Sequence, residues 1–265
     1  MKLNDKKLLT DAVKDADMVL VGIGEEWSVS FDEMMQEKTF AENFSKLTDP
    51  DMRDRLVPVL QREYLKQIHD ERLKNAYENL EQLLMDKNYF VVSMNKDRYP
   101  VLTGLKKEKC VFPCGGYEAF QCDVGCSEEL VDSSEFSDRI YSMICQSENM
   151  EKIRMPKCPK CEKEMVYNNM EAVRYVEAGY LPSWEYYMKW LQGTVNRKLC
   201  LIELGVSMRF PSVIRWPFEK TTYYNQKAKM FRIHHSLSQS VENIGDRCYS
   251  CEENSVVYMA NLFVS

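Results

Sequence analysis

Histidine is scarce in this chain, because only three occur among its 265 residues. Chemistry that needs a histidine is therefore limited to His69, His234 and His235. Glycine is scarce too, since 10 residues are about half the share expected from average usage. No apolar run approaches the roughly 18 residues of a membrane-spanning helix, and the first residues are charged and amphipathic where a signal peptide would be apolar. We therefore expect a cytoplasmic protein with no membrane contact.

An excess of positive charge is also lacking. The formal net charge is −6 and the isoelectric point is near 5.4, so no broad cationic field is present to hold phosphate backbones. We therefore expect no nucleic-acid partner. A chain with 45% apolar and 29% charged residues is typical of a soluble globular protein. Its length allows one large domain, or one domain with a small insert.

Short apolar runs alternate along the chain with long helical patterns, which is typical of an α/β fold. Four runs read as buried strands: Met18–Gly22, Tyr89–Ser93, Leu199–Gly205 and Met230–Ile233. Residues 31–87 have apolar positions at three- and four-residue spacing, which predicts two or three helices, and a further helix is predicted to start near Pro182. Ser255–Val264 fits either an edge strand or a final helix. We predict a doubly wound, Rossmann-like parallel sheet.

The middle of the chain has a different pattern. Residues 116–167 are rich in acids, hold several of the ten cysteines and show no alternation of strands and helices. We predict a small module here, inserted into a sheet domain made of residues 1–115 and 168–265. In a reducing compartment, the cysteines are expected to be thiols or metal ligands rather than disulfides.

Two close cysteine pairs lie in this module. Cys122 and Cys126 are followed, after a gap of about 31 residues, by Cys158 and Cys161 in a segment that resembles a zinc knuckle. Four thiolates would complete a tetrahedral Zn²⁺ site with no open position, which predicts a structural metal. Ordinary thiols are the alternative. The remaining cysteines suggest a competing ligand pair, Cys248-x-x-Cys251, and three small core residues, Cys110, Cys145 and Cys200.

Glycine or polar residues follow three of the predicted strands. Gly22-Ile-Gly24 ends the first, Asn95 and Asp97 follow the second, and Gly205-Val-Ser207 follows the third. Ligands of open parallel sheets bind beyond the carboxyl ends of the strands, where glycine lets backbone approach a phosphate. Ordinary turn chemistry is the alternative, because these are also common turn residues.

These motifs, in this order around the cysteine pairs, resemble the sirtuin family. The stretches Gly116–Cys122, Leu201–Gly205 and Arg215–Phe218 look most like the bacterial branch that is associated with macrodomain proteins and ADP-ribosyl transfer. The resemblance runs from about Asp11 to His234. It implies an NAD-binding domain with a zinc module and a cleft between them. The partner it implies is a protein substrate, with a lipoyl-carrier-like or macrodomain protein as candidates.

The resemblance also implies roles for particular residues. Gly22 and Gly24 would take the pyrophosphate of NAD, while Asn95 and Asp97 would bind the nicotinamide and its ribose. The loop with Gly205, Ser207 and Arg209 would face the adenosine side. Arg209 is one of several cations that could offset acidic residues nearby and recruit an anionic ligand; solvated loop cations are the alternative.

Two departures from the family pattern affect the predicted chemistry. Cys114 stands where sirtuin deacylases have a histidine base, which argues against ordinary deacylation and makes Cys114 a candidate catalytic thiol. Glu25 and Glu26 follow Gly24, where the family has a small residue and a serine. They either favour a helix start through the helix dipole or occupy the anion site in place of a phosphate.

Two functions follow from these residues. The leading hypothesis is an NAD-dependent, sirtuin-like enzyme that transfers ADP-ribose to a protein, or less readily removes an acyl group, with release of nicotinamide. The alternative is a catalytically degenerate sirtuin-fold module that binds or regulates a partner and no longer turns over NAD. Asn95, Asp97 and Cys114 are the candidate catalytic residues, and Glu26 is counted with the candidate cofactor-binding residues.

Overall fold

The computed structural model of this chain describes residues 6–148 and 150–264. Residues 1–5 of the predicted amphipathic start, as well as Asn149 and Ser265, lie outside the described part. The strands of that part are β1 (Met18–Ile23), β2 (Asn88–Ser93), β3 (Cys110–Val111), β4 (Gly115–Cys122), β5 (Val131–Asp132), β6 (Met165–Asn169), β7 (Leu199–Leu204), β8 (Lys229–Ile233) and β9 (Cys248–Cys251). They form two sheets.

The larger sheet has six strands in the order β3-β2-β1-β7-β8-β9, and every pairing in it is parallel. All four predicted strands are confirmed as β1, β2, β7 and β8. The sequence did not predict the two edge strands, because β3 is only two residues long and β9 has the polar and sulfur-containing sequence CYSC.

Some helices of the described residues pack on the two faces of this sheet, and others pack in the core of the smaller sheet. They are α1 (Lys6–Asp15), α2 (Phe31–Met34), α3 (Lys38–Ser45), α4 (Pro50–Tyr64), α5 (Glu71–Leu84), α6 (Tyr99–Leu102), α7 (Ser134–Gln146), α8 (Leu181–Gln192), α9 (Arg215–Tyr224) and α10 (Ser255–Ala260). No helix among these is long and apolar enough to cross a membrane.

Side chains of β1 alternate between the two faces, as the period of two in a strand requires. Val19 and Val21 pack with residues of α1, α5 and α10 in one core, whereas Leu20 packs with residues of α8 and α9 in the other. Each fully buried aliphatic side chain contributes about 1.5–3 kcal/mol. The doubly wound sheet that the sequence predicts is therefore confirmed.

The helical region between β1 and β2 contains four helices, so the prediction of two or three was too low. The shortest, α2, has only four residues, and it is closed by a capping box in which the Ser30 hydroxyl and the Glu33 carboxylate bind each other's backbone N–H. Such short helices are invisible to a periodicity that needs at least two turns.

The central region is more regular than the sequence suggested. It forms an antiparallel sheet in the order β5-β4-β6, together with helix α7. Its core, which includes Phe120, Ile140 and Tyr167, is shared with Leu56 and Leu60 of α4. The sequence predicted an insert outside the parallel sheet and located none of these strands or helices. The predicted module boundaries, residues 116–167, stay a prediction.

The end of the chain is a helix. Asn254 caps α10, because its side chain accepts hydrogen bonds from the backbone N–H groups of Val256 and Val257. Tyr258 and Met259 then face the core beside α5. Of the two alternatives that the sequence left open for this segment, the structure selects the helix.

Candidate functional site

The loops that follow β1, β2, β7 and β8 meet at one edge of the parallel sheet. Hydrogen bonds join successive strand ends: Met94 N–H donates to Ile23 O, Gly24 N–H to Leu204 O, and Gly205 N–H to Ile233 O, each at 2.9 Å. The carboxyl edge of an open α/β sheet is where ligands bind in such folds. The structure therefore brings most of the predicted site residues to one place.

The glycines at this edge allow the loops to approach one another. A Cβ on Gly24 would lie 2.4 Å from Gly205 O, and a Cβ on Gly205, which has φ +62°, would lie 2.4 Å from Glu26 Cβ. A Cβ on Gly22 would lie 2.4 Å from Ile214 Cγ2, at the start of α9. In each case glycine is required by contact within the protein, so its presence is explained without a ligand.

Asn95 and Asp97 are buried at the end of β2, each 3% exposed. The Asn95 backbone N–H donates to Ser93 Oγ at 3.3 Å, whereas its side-chain Nδ2 has no hydrogen-bond partner among residues 6–148 and 150–264. Asp97 Oδ1 accepts a hydrogen bond from Tyr99 N–H at 3.1 Å. Burial raises the pKa of Asp97 to about 7. This loop therefore holds an unpaired amide donor beside a carboxyl group that titrates near neutral pH.

Cys114 is also buried at this edge, with 4% of its surface exposed. Burial raises the pKa of its thiol to about 11, and the charge of Glu25 raises it further while Arg209 lowers it. A thiol with that pKa is protonated at neutral pH and is a poor base or nucleophile. The proposal of a catalytic Cys114 stays a prediction, but this environment does not activate the sulfur.

Glu25 reaches across the edge to the loop after β7. Its Oε1 accepts a hydrogen bond from Ser207 Oγ at 2.8 Å, and its Oε2 accepts one from Ser207 N–H at 3.1 Å. Arg209 N–H donates to the same Ser207 Oγ at 3.0 Å, and the Arg209 guanidinium lies over the Phe210 ring. The carboxylate of Glu25 therefore occupies both donors of Ser207.

Glu26 is held by two segments that the sequence analysis did not connect with it. Its carboxylate accepts hydrogen bonds from the backbone N–H and Nδ1 of His235 and from the backbone N–H and Oγ of Ser255, at 2.6–2.9 Å. Burial acts to raise the pKa of Glu26, but these hydrogen bonds outweigh it and lower the pKa. Trp27 Nε1 also donates to Ser255 Oγ at 2.9 Å. Glu26 thus ties the end of β1 to the C-terminal helix.

The other cations near the edge are paired elsewhere. Lys96 Nζ lies 2.5 Å from Glu171 Oε1, and Arg98 Nη2 lies 3.0 Å from Glu118 Oε2. Arg98 also stacks over Phe112 at 4.1 Å from the ring centroid. Lys96 and Arg98 therefore form their ion pairs with Glu171 and Glu118 and not with Glu25.

Two of the histidines, His234 and His235, lie at this edge beside Glu26. Glu26, His234 and His235 bring possible ligand atoms within 4.8 Å of one another. However, His234 Nδ1 already accepts hydrogen bonds from the backbone N–H groups of Ser236 and Leu237, both at 3.0 Å. His69 lies outside the cleft, stacked on Tyr64 with 4.0 Å between ring centroids.

The four predicted zinc ligands converge in the central region. The sulfurs of Cys122, Cys126, Cys158 and Cys161 all lie within 4.8 Å of one another. Two sulfur pairs are 3.5 Å apart, Cys122 with Cys161 and Cys126 with Cys158. Ligands about 2.3 Å from a tetrahedral Zn²⁺ stand roughly 3.8 Å apart, so the cluster fits the ion.

The local backbone also suits this metal. The backbone N–H of Lys160 donates to the Cys158 sulfur and is the main cause of a lowered pKa of that thiol. Glu162 has φ +59°, and its N–H closes a tight turn on Cys158 O at 2.9 Å. The turn aims backbone N–H groups at sulfur, which favours the thiolate form that a metal binds.

Two predictions for the other cysteines were wrong. Cys248 and Cys251 lie in strand β9 three residues apart, so they face opposite sides of the sheet and belong to different cores. They cannot bind one ion together. Cys145 is exposed near the end of α7 rather than buried, whereas Cys110 and Cys200 are core residues as expected.

A buried ion network lies beneath the site, and no sequence motif predicted it. Glu203 in β7 accepts hydrogen bonds from Arg215 Nη2 at 2.9 Å and from Arg232 Nε at 2.9 Å. Arg215 Nη2 also donates to the carbonyl oxygens of Val206 and Leu237. Arg215 therefore fixes the loops after β7 and β8 with one guanidinium group.

Two known proteins resemble this chain in sequence. No protein-family model matches the chain. A protein ADP-ribosyltransferase of Staphylococcus aureus is 24% identical over 268 residues, which cover 90% of this chain and 82% of that protein. A Fusarium oxysporum f. sp. cubense protein named "Probable bifunctional ADP-ribose hydrolase/ADP-ribosyltransferase" is 25% identical over 155 residues, or 54% of this chain. The match spans only 25% of the Fusarium protein.

Solved structures agree with the topology. A Sir2 homologue in complex with NAD superposes with a TM-score of 0.58 at 14% identity, covering 98% of this chain and 93% of that chain. Sir2Tm bound to a propionylated peptide gives a TM-score of 0.55 at 14% identity and 97% coverage of both chains. The chain therefore has the fold of the Sir2 proteins, with a Rossmann-like sheet and a four-cysteine cluster.

Proposed function

We propose that this chain is an NAD-dependent, sirtuin-like enzyme that transfers ADP-ribose to a side chain of a protein substrate and releases nicotinamide. The observation that carries the proposal is the buried, unpartnered Nδ2 of Asn95 beside Asp97 at the carboxyl edge of the sheet. The likeness to Sir2 structures and to the two relatives named for ADP-ribosyl transfer supports it.

The nicotinamide end of NAD fits these residues. A buried amide N–H without an acceptor costs about 1–3 kcal/mol, so a ligand oxygen at Asn95 would remove a penalty that the free protein carries. NAD, when bound, would supply the ADP-ribosyl group, with nicotinamide as the leaving group. The diphosphate end fits less well, because Glu25 already occupies both donors of Ser207.

Asp97 has the chemistry that the reaction needs. Breaking the bond between ribose and nicotinamide develops positive charge on the sugar, and a fixed carboxylate in a site shielded from water stabilises such charge. Because the pKa of Asp97 is about 7, the ionised fraction grows through neutral pH. Cys114, with a pKa of about 11, supplies no base for the ribose hydroxyls. This favours transfer to a nucleophilic side chain over deacylation.

The remaining predicted site residues receive these roles within the proposal. In this proposal Ser207 and Arg209 face the diphosphate rather than the adenosine side that the resemblance implied, because Ser207 directs two donors at one anion. Gly22, Gly24 and Gly205 shape the loops around it. Glu26 acts through Ser255 as a tether and not as a ligand contact.

The four-cysteine cluster binds a structural Zn²⁺ in this proposal. None of the ten cysteines, all of which lie within the described residues, forms a disulfide, which agrees with the reducing, cytoplasmic compartment that this proposal assumes. A lipoyl-carrier-like or macrodomain partner stays a prediction from the family resemblance.

The direct test is nicotinamide release from NAD in the presence of candidate acceptor proteins. We expect the wild-type protein to release nicotinamide and the Asn95→Ala variant to lose that activity. Asn261→Ala, the same substitution at an exposed position of α10's end, is the matched control and should retain it. Absence of NAD binding to the wild-type protein at millimolar concentration, measured by calorimetry, would refute the proposal.

A second candidate function is favoured by one observation, the hydrogen bonds from Ser207 to Glu25. In this candidate the chain is a degenerate binding or regulatory module that does not turn over NAD. It predicts no nicotinamide release from the wild-type protein, and the appearance of NAD binding only after Glu25→Ser and Glu26→Ser are combined.

A further inference from the structure

Two donors of Ser207 converge on the two oxygens of one carboxylate, that of Glu25. The distances are 3.1 Å from the backbone N–H and 2.8 Å from the hydroxyl. A backbone N–H and a serine hydroxyl on one loop are a common donor pair for phosphate oxygens. The loop also follows β7 at the carboxyl edge of the sheet, where anionic ligands of such folds bind. Glu25 therefore stands where a bound anion would stand.

No side chain within residues 6–148 and 150–264 forms an ion pair with Glu25, since Lys96 and Arg98 pair with Glu171 and Glu118 instead. Arg209 and Glu25 act on the Cys114 thiol with opposite signs, so Arg209 offsets part of the charge of Glu25 without pairing with it. A phosphate approaching Ser207 would therefore meet a carboxylate of like charge in a partly buried place, where the repulsion is stronger than in water.

The neighbouring Glu26 differs from Glu25 in what holds it. Four donors from His235 and Ser255 bind Glu26, whose side chain is 7% exposed. Within the described residues, the Glu25 carboxylate accepts its hydrogen bonds from one residue, Ser207. Displacing Glu25 from Ser207 therefore breaks two hydrogen bonds, whereas displacing Glu26 breaks four and releases two segments of the chain.

We propose that Glu25 is the specificity-determining residue of the cleft: it acts as an internal anion on Ser207, so that a diphosphate adds little to the affinity of a nicotinamide ligand. This inference rests on the proposed function, because it assumes that the Asn95 end of the cleft takes nicotinamide and its ribose. The wild-type site should then bind a nicotinamide nucleoside about as tightly as the corresponding dinucleotide.

The experiment compares two ligands that differ in the diphosphate and adenosine. Calorimetric dissociation constants for nicotinamide riboside and for NAD are measured with the wild-type protein, Glu25→Ser and Glu25→Gln. Glu185→Ser, which removes the same charge from an exposed position on α8, is the matched control. Thermal unfolding of each variant verifies that it is folded.

We expect wild-type affinities for the two ligands within about threefold. Glu25→Ser should bind NAD at least about tenfold more tightly, a factor that corresponds to about 1.4 kcal/mol, with little change for nicotinamide riboside. Glu25→Gln should gain less, because its amide oxygen still accepts from Ser207. Adding Ser207→Ala to Glu25→Ser should remove most of the gain, and Glu185→Ser should match the wild type.

Other results overturn the inference, and they separate it from the proposed function. If the wild-type protein binds NAD about tenfold or more tightly than nicotinamide riboside, the inference fails and the proposed function stands. The same holds if Glu25→Ser leaves the affinity for NAD unchanged while both ligands bind. If neither ligand binds to any variant, both the inference and the proposed function fail.

Discussion

Arg215 Nη2 lies 2.9 Å from Glu203 Oε1, and the same nitrogen donates to the carbonyl oxygens of Val206 and Leu237. Arg215 and Glu203 are 6% and 1% exposed. One buried guanidinium thus joins the strand β7 to the two loops that follow β7 and β8. This arrangement makes the position of the Ser207 loop dependent on a residue that lies beneath the cleft.

Arg215→Met should destabilise the protein by about 3–5 kcal/mol, because it removes one partner of a buried ion pair and leaves two carbonyl oxygens without their donor. Denaturant unfolding measures the loss. Arg197→Met, at an exposed position before β7, should change the free energy of unfolding by less than about 0.5 kcal/mol. Equal losses in the two variants would contradict the role given to Arg215.

Gly205→Ala should be more destabilising than Gly193→Ala. At Gly205 φ is +62° and a Cβ would lie 2.4 Å from Glu26 Cβ, so alanine there carries the left-handed cost of about 1–2 kcal/mol and a steric clash. Gly193 has φ −66° and ψ −11°, which any residue adopts, and a Cβ there would lie 3.1 Å from Trp190 O. Denaturant unfolding measures both losses, and equal losses would show that the loop after β7 yields without cost.

Removal of metal should unfold the central region before the parallel sheet. The purified protein should contain about one equivalent of zinc per chain, since four cysteines complete one tetrahedral site. A strong chelator, or Cys158→Ser, should lower the melting temperature and increase proteolysis between β4 and β6. Cys145→Ser replaces an exposed cysteine outside the cluster and should retain the zinc. A content below about half an equivalent would refute the site.

The burial of Asp97 makes stability depend on pH in a definite direction. Its pKa is raised from 3.8 in the unfolded chain to about 7, so the native state holds a proton that the unfolded state releases between these values. The contribution of Asp97 to stability is therefore present below about pH 4 and is lost as pH rises through 7.

Asp97→Asn removes this dependence. The free energy of unfolding of Asp97→Asn, relative to the wild type, should increase by roughly 3 kcal/mol between pH 4.5 and 7.5. Urea unfolding at the two pH values measures the change. Asp86→Asn, at an exposed position before β2, is the control and should show no such trend. A constant difference for Asp97→Asn would mean that the carboxyl group is not held protonated.

Much of the fold could be predicted because its signals are local. The strands β1 and β2 contain continuous apolar runs, and β7 and β8 are mostly apolar, with Glu203 and Arg232 as buried exceptions. A strand buried on both faces needs such a sequence. The short strands β3 and β9 carry no comparable signal, because their pairing partners and not their own residues make them strands. Helix α2 was not predicted because its four residues make little more than one turn, which is too short to show a helical period.

The predictions for the candidate site also succeeded or failed according to whether the signal was local. The spacing of Cys122, Cys126, Cys158 and Cys161 predicted a cluster, because close pairs bring sulfurs together whatever the rest of the chain does. The spacing of Cys248 and Cys251 suggested a competing ligand pair, yet a strand turns their side chains to opposite faces. Local spacing identifies a ligand pair only when the local backbone is a turn.

The sequence by itself determined that Glu25 and Glu26 follow the first strand, where the sirtuin pattern has small residues. Only the tertiary structure decided that they act differently. Ser207 lies 182 positions from Glu25, and Ser255 lies 229 positions from Glu26, so no local pattern could pair them. The parallel sheet brings the ends of β1 and β7 together. As a result, the Glu25 carboxylate meets Ser207 in the loop after β7, and the Glu26 carboxylate meets Ser255 at the start of α10.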